Sequence, residues 1–160
     1  MELRKAVTAD SKTVLQLYSS AVGTAGCTWD ENYPSDVFID ADISSGGLYV
    51  YTDNEKIIGA VSVVPERELD ELPEWTVCDG SHCEIARVVI SNEYRGRGLG
   101  FDMLSRLLDL LREQGIKSVH ILVAKNNAPA IALYKRLGFE FYDEHFMFGH
   151  DYLSAELLLK

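Results

Sequence analysis

The spacing of apolar residues changes several times along the chain, and each change marks an element. Leu3, Lys5 and Val7 alternate with their neighbours at the two-residue period of a short strand. Thr8 or Asp10 then caps a helix whose apolar positions Val14, Leu17, Tyr18 and Ala21 recur at helical spacing, and Gly23 and Gly26 end it. A short helix is expected near residues 35–43. Residues 48–52 and 56–64 are β-branched and aromatic runs separated by Asp53-Asn54-Glu55, the signature of a hairpin. Residues 82–91 read as a strand through Ile85 and Val88-Val89-Ile90. A helix opening at Gly98 carries Leu104, Leu107, Leu108 and Leu111 at i, i+3, i+4 and i+7, a stripe suited to covering a sheet, and Gly115 stops it. The apolar run 119–124 is the next strand, so strand, helix and strand predict a right-handed parallel crossover. A second helix over 127–137 places Ala130, Leu133, Tyr134 and Leu137 on one face and ends at Gly138, and two strands flank Gly149 in the tail. The sum is an α/β fold, a mixed sheet with helices on both faces. No repeat, linker or low-complexity stretch divides residues 1–160, which read as one domain.

Composition narrows the class. The 160 residues are 47% apolar and 25% charged with 4 Pro, a globular balance. No apolar run approaches the roughly 18 residues that span a bilayer, and the first residues alternate instead of forming an apolar signal core. A cytoplasmic protein without membrane contact is expected. Three cysteines, Cys27, Cys78 and Cys83, form no disulfide framework and fit a reducing compartment. His82 beside Cys78 and Cys83 lacks the second ligand pair of a structural zinc site, so no metal is expected.

The net charge of −10 argues against nucleic acid, but it is unevenly spread. Residues 28–44 carry five acids (Asp30, Glu31, Asp36, Asp40 and Asp42) and no base, and residues 66–84 carry seven acids against Arg67. Residues 85–138 instead hold nine bases and four acids. Inside that basic block, Arg95-Gly96-Arg97-Gly98-Leu99-Gly100 joins a strand to a helix. Glycines let backbone N–H groups approach an anion, the helix N-terminus adds partial positive charge, and two arginines add more, which makes a pyrophosphate cradle. Position 101 is Phe, so the dinucleotide fingerprint fails, and the Gly-Lys-Ser/Thr ending of a triphosphate loop is missing.

The segment 90–100 resembles the acetyl-coenzyme A loop of the GNAT superfamily of N-acetyltransferases, Arg/Gln-x-x-Gly-x-Gly/Ala. Asn127-Ala128-Pro129-Ala130-Ile131-Ala132-Leu133-Tyr134 followed by Gly138-Phe139 is similar to that family's second block, in the same order and spacing. Asn92 departs from the proline of many relatives. The resemblance implies a GNAT-like acyl-CoA N-acyltransferase fold: a central, mostly antiparallel sheet of six or seven strands with a parallel pair splayed at the cofactor site. It implies acetyl-CoA as co-substrate, with Val88, Val89 and Ile90 pairing with the pantetheine arm. Arg95, Gly96, Arg97, Gly98, Leu99 and Gly100 would hold the pyrophosphate, and Asn127 the pantetheine side. The amide of Val89 or Ile90 would serve as oxyanion donor, and Tyr134 as the acid for the departing thiolate.

An alkylamine is mostly protonated near neutral pH, so transfer to it needs a base. Glu84 lies where some members of the family place a glutamate. Simple alternation puts it on one face with Ala86 and Val88, looking into the cleft where strands part. A solvated carboxylate at the start of the strand is the other reading of Glu84, and a core aromatic the other reading of Tyr134. The resemblance implies direct attack of the amine on the thioester, the family's usual chemistry, and no cysteine occupies a convincing nucleophile position; no Gly-x-Ser-x-Gly elbow is present, so a hydrolase triad is unsupported. His120, His145 and His150 read as structural. The acidic loops suit a cationic acceptor such as a polyamine, a lysine side chain or an N-terminus, or they serve solubility. Trp29, Tyr33 and Trp75 flank that acceptor or pin the loops. The alternative function is a silent acyl-CoA-binding sensor or regulatory module. The sequence leaves the oligomeric state open, a homodimer included.

Overall fold

Asn54 and Glu55 both take positive φ (47° and 71°), the geometry of a tight hairpin turn whose twist matches the flanking strands. The turn closes β2 (Leu48–Asp53) onto β3 (Lys56–Val64). These belong to a seven-stranded sheet in the computed structural model, which describes residues 1–65 and 68–160. Its order is β1-β2-β3-β4-β5-β7-β6, with β1 Glu2–Lys5, β4 His82–Ile90, β5 Ser118–Ala124, β6 Glu140–Met147 and β7 His150–Leu158. Every neighbouring pair is antiparallel except β4 and β5.

The leucine stripe does what its spacing predicts. In α3 (Leu99–Glu113), Met103, Leu104, Leu107, Leu108 and Leu111 are all buried against Tyr51, Val61, Ile85, Val119 and Ile121 on one face of the sheet. Each such side chain contributes about 1.5–3 kcal/mol by leaving water. α4 (Ala128–Leu137) shares this face. α1 (Ser11–Ala21) and α2 (Asp36–Ser44) cover the other, where Val14, Leu17, Tyr18 and Ile39 pack on Val50, Ala60 and Val89. The first strand is shorter than its alternation predicts. It ends at Lys5, and a 3₁₀ turn over Thr8–Asp10 precedes α1. There the Asp10 carboxylate accepts from the Val7 N–H (2.8 Å) and pairs with Arg4 (2.8 Å), which turns the chain into the helix.

Glu66 and Arg67 of the second acidic stretch lie outside the described residues. The remainder folds over the α1/α2 face. Leu69 and Trp75 are buried, and the Trp75 ring stacks on His120 at 4.1 Å. Glu156 of β7 accepts from the Thr76 and Val77 N–H groups, Ser118 and Tyr142. Trp75 therefore pins this loop and takes no part in the pocket described below. No helix among the described residues is long and apolar enough to cross a membrane.

Candidate functional site

β4 and β5 pair through three residues only, His82↔Ser118, Cys83↔Val119 and Glu84↔His120, and then separate. The cause lies on the opposite edge of β4. Against β3, Ala60 faces Val89 and Ser62 faces Ala86, so Arg87 and Val88 together oppose Val61. This is a β-bulge, with Arg87 in the left-handed region (φ 50°). The extra residue reverses the alternation. Glu84 shares a face with Ala86 and Val89, and Val88 turns to the α3 side beside Ile90. The expected grouping of Glu84 with Val88 is corrected accordingly. The wedge opened by the parting strands is a pocket of about 660 Å³.

Arg95, Gly96, Gly98, Leu99 and Gly100 line one end of it. Gly96 and Gly98 both have φ 74°, and neither has an atom within 4 Å of where a Cβ would stand. Among the described residues, the N–H groups of Gly96, Arg97, Gly98, Leu99 and Gly100 have no acceptor, so five donors gather at the start of α3. That is the geometry an anion needs. The Arg97 side chain alone in this loop turns away from the pocket. It donates to the Glu93 carbonyl (2.9 Å) and lies over the Tyr94 ring at 5.1 Å. Asn92 Nδ2 donates to the Ser20 carbonyl (3.1 Å), tying the exit of β4 to α1.

Midway along the wedge stand Val88, Val89 and Ile90 of β4, opposite Leu122, Val123 and Ala124 of β5. Asn127 caps α4 by accepting from the Ala130 N–H (3.2 Å), and it also walls the pocket. Tyr134 is 7% exposed and Glu84 8%, and both border the same cavity. Tyr134 stacks edge-on against Phe139 at 5.4 Å. Burial raises the pKa of its phenol, and the nearby Glu84 carboxylate raises it further, so the hydroxyl keeps its proton.

At the far end stand Trp29, Tyr33, Phe148 and Tyr152. The α1–α2 loop roofs this part: a Cβ on Gly26 would come within 2.8 Å of Asn127 Cα, and Tyr152 donates to Thr28 Oγ1 (3.2 Å). Half-buried Cys27 also lies in the wall. Arg87, which sequence reasoning did not single out, reaches into the same region. Its Nε and Nη2 donate to the two oxygens of Asp42 (3.0 Å each), and Nη1 donates to the Tyr33 hydroxyl (3.1 Å). The only local signal was a charged residue inside an apolar strand. Among the described residues, Glu84 is the one carboxylate lining the pocket. Asp42 is spent on Arg87 and Asp70 on His82 (2.7 Å), so apart from Glu84 no carboxylate of the described acidic stretches walls the cavity.

The three residues weighed for a metal are not brought together. Cys83 packs on the α3 side, and Asp70 joins Cys78 and His82, with ligand atoms within 4.8 Å of one another. The Gly80 N–H donates to His82 Nδ1 (3.3 Å), which leaves the proton on Nε2, facing Asp70. The three form a hydrogen-bonded corner of the loop.

Comparison with known proteins agrees with this architecture. The L-methionine sulfoximine/L-methionine sulfone acetyltransferase of Pseudomonas paraeruginosa is 29% identical over 146 residues, covering 86% of this chain and 79% of that protein. The solved structure of Salmonella typhimurium yncA with its cofactor acetyl-CoA is 25% identical, with a TM-score of 0.78 over 100% of this chain and 94% of that one. A Streptococcus agalactiae acetyltransferase of the GNAT family shares the fold at a TM-score of 0.86, with 19% identity over 99% of this chain and 95% of that one. A model of the acetyltransferase (GNAT) family matches residues 14–139, so the chain belongs to the GNAT family of acetyltransferases.

Proposed function

We propose that this acetyl-CoA-dependent acyltransferase moves the acetyl group directly onto a primary amine, with Glu84 taking the proton of the ammonium form and Tyr134 serving the departing sulfur. The observation that carries the reading is one wedge whose wall holds the buried Glu84 and Tyr134, with five unpaired N–H groups among the described residues at one end. Acetyl-CoA, when bound, supplies a thioester carbonyl at the middle of the wedge. Residues 95–100 would hold its diphosphate, Arg97 through its N–H, while Val88, Val89, Ile90 and Asn127 would line its arm. The amide of Val89 or Ile90 would donate to the carbonyl oxygen as negative charge develops there.

The proton inventory is simple. The ammonium gives one proton to Glu84 before attack; the C–N bond then forms as the C–S bond breaks, and the second nitrogen proton, released as the amide forms, goes to the departing sulfur to give free coenzyme A. Tyr134 holds a proton that its surroundings discourage it from losing, whereas an ordinary thiol has a pKa near 8.5. Its contribution is therefore a hydrogen bond to the forming thiolate more than full proton transfer. The relative named above acts on L-methionine sulfoximine and sulfone, small α-amino acids, which favours a small-molecule acceptor over a polyamine or a protein. With every described carboxylate of the acidic stretches except Glu84 outside the pocket wall, the charge argument for a cationic acceptor loses its support.

Glu84→Gln and Tyr134→Phe test the assignment by steady-state release of free coenzyme A with an amine panel. Glu84→Gln should lower kcat/KM at neutral pH by about 10²–10⁴-fold, the usual worth of a positioned base. The deficit should shrink as pH approaches the amine's own pKa. Tyr134→Phe should lower kcat about tenfold or more, with acetyl-CoA affinity retained. If acetyl-CoA stabilises the protein but no amine is acetylated, and neither variant differs from the parent, the chain is a silent acyl-CoA-binding module instead.

A further inference from the structure

The acceptor end of the pocket contains a guanidinium, and the way its donors are used indicates what else it can hold. Arg87 and Asp42 are both nearly buried, with side chains 11% and 8% exposed. A guanidinium has five N–H donors in a planar fork. Asp42 takes the edge formed by Nε and Nη2, and Tyr33 takes one N–H of Nη1. One N–H on each of Nη1 and Nη2 is left, and among the described residues neither has an acceptor. Asp42 is not part of the cavity wall, whereas Tyr33 is, so the edge beyond Asp42 is the one turned to the cavity. The Tyr33 hydroxyl accepts from Arg87, and its own proton has no acceptor among the described residues. Phe38 lies under the guanidinium at 5.5 Å and meets the Tyr33 ring edge-on at 4.9 Å, which holds both groups in place.

Three donors thus stand together at one part of the pocket wall, with no base for a cation there except Glu84. Glu84 and Arg87 lie on one strand, and the bulge turns Arg87 toward the same side of the sheet as Glu84. Glu84 and Arg87 are three residues apart on β4, which spans roughly 10 Å along an extended strand. Hydrogen bonds of about 3 Å at each end leave room for an amine and a carboxylate borne on one carbon.

We infer that Arg87, with Tyr33, binds the carboxylate of an α-amino acid acceptor while Glu84 faces its amine. The inference rests on the transfer reading above and narrows it. It reverses the cationic preference suggested by charge composition: the acceptor enters as a zwitterion, its anionic end toward a cation that Asp42 orients. Arg87 contacts the acceptor, and Asp42 is a positioning residue.

Matched acceptors that differ only in the carboxylate test this, for instance L-methionine sulfone against 3-(methylsulfonyl)propylamine and L-phenylalanine against phenethylamine. The wild-type chain should prefer each acid by about 10²-fold or more in kcat/KM, because its donors stay unsatisfied with the bare amine. Arg87→Gln alone strands the Asp42 carboxylate and risks unfolding, so the informative variant is Arg87→Gln with Asp42→Asn, checked by thermal melt. In it the preference should fall towards unity through a higher KM for the acid. Arg87→Lys should recover only part of the preference, since an ammonium lacks the planar fork. Turnover confined to amines without a carboxylate, or a preference that survives in the double variant, overturns this inference alone. Failure of every amine overturns the transfer reading and this inference with it.

Discussion

Gly98 offers the sharpest test of how the phosphate end works, because Gly115 provides an internal control. Both sit in the left-handed region, φ +74° and +82°, and a Cβ on either would meet nothing within 4 Å. Alanine at each position should therefore carry the same backbone strain, about 1–2 kcal/mol. That loss should lower the melting temperature by about 2–4 °C per kcal/mol for a chain of this size. Binding should separate the two. Gly98 is the N-cap of α3 and one of the five unpaired donors among the described residues, and the open space beside it is where a diphosphate would approach under the proposed function. A methyl group there, or a backbone that relaxes to accommodate it, displaces at least one charge-assisted hydrogen bond, worth about 1.5–3 kcal/mol. Acetyl-CoA should bind Gly98→Ala about ten- to a hundredfold more weakly by calorimetry, with the Gly115→Ala affinity unchanged. The account is refuted if Gly98→Ala loses the same stability as Gly115→Ala yet binds acetyl-CoA as tightly as the parent chain.

Gly26→Ala should strain the roof of the pocket, because its Cβ would stand 2.8 Å from Asn127 Cα, whereas Gly23→Ala meets nothing. Overpacking at Gly26 should cost about 1–3 kcal/mol beyond the shared backbone strain and raise KM for substrate several-fold; equal melts for the two variants would contradict the contact. Glu156 carries an acid-sensitive part of the stability. Burial alone would raise its pKa, but the Thr76 N–H, the Ser118 hydroxyl, the Val77 N–H and the Tyr142 hydroxyl outweigh burial and bring it from 4.5 to about 2. A depressed carboxylate stabilises the fold above its unfolded pKa and loses that contribution as pH falls, here between about 4.5 and about 2. Denaturant unfolding should show Glu156→Gln less stable than the parent at pH 7 and the difference shrinking through that window; a constant difference would exclude the linkage.

The elements were legible where the code is local. The leucine stripe of α3, the Asp53–Glu55 turn and the glycine ends of helices each follow from a few adjacent residues, as does the glycine-rich turn into α3. What escaped the sequence depends on neighbours far along the chain. The bulge at Arg87 carries no Gly or Pro to announce it and exists because β3 and β4 differ by one residue in register. It moved Val88 to the other face and aimed Arg87 at Asp42, a pair 45 residues apart. The charge of the acidic stretches was correctly counted, but their partners were invisible. Trp75 read equally well as an acceptor wall until its stacking on His120 placed it elsewhere. Gly26 read as a helix end, and its close approach to Asn127 needed the fold.

The three-residue pairing of β4 with β5 has a consequence for cooperativity. Among the described residues it is the only ladder joining β1–β4 to β5–β7–β6, and within each group every strand pairs antiparallel with its neighbour. The sheet is two self-consistent half-sheets joined by a short seam, stitched mainly by the helix layers. A molecule filling the wedge touches both halves at once and acts as a removable cross-link. Ligand binding should then couple two otherwise weakly joined folding units, and amide exchange in β4 and β5 beyond the seam should report occupancy as directly as turnover does.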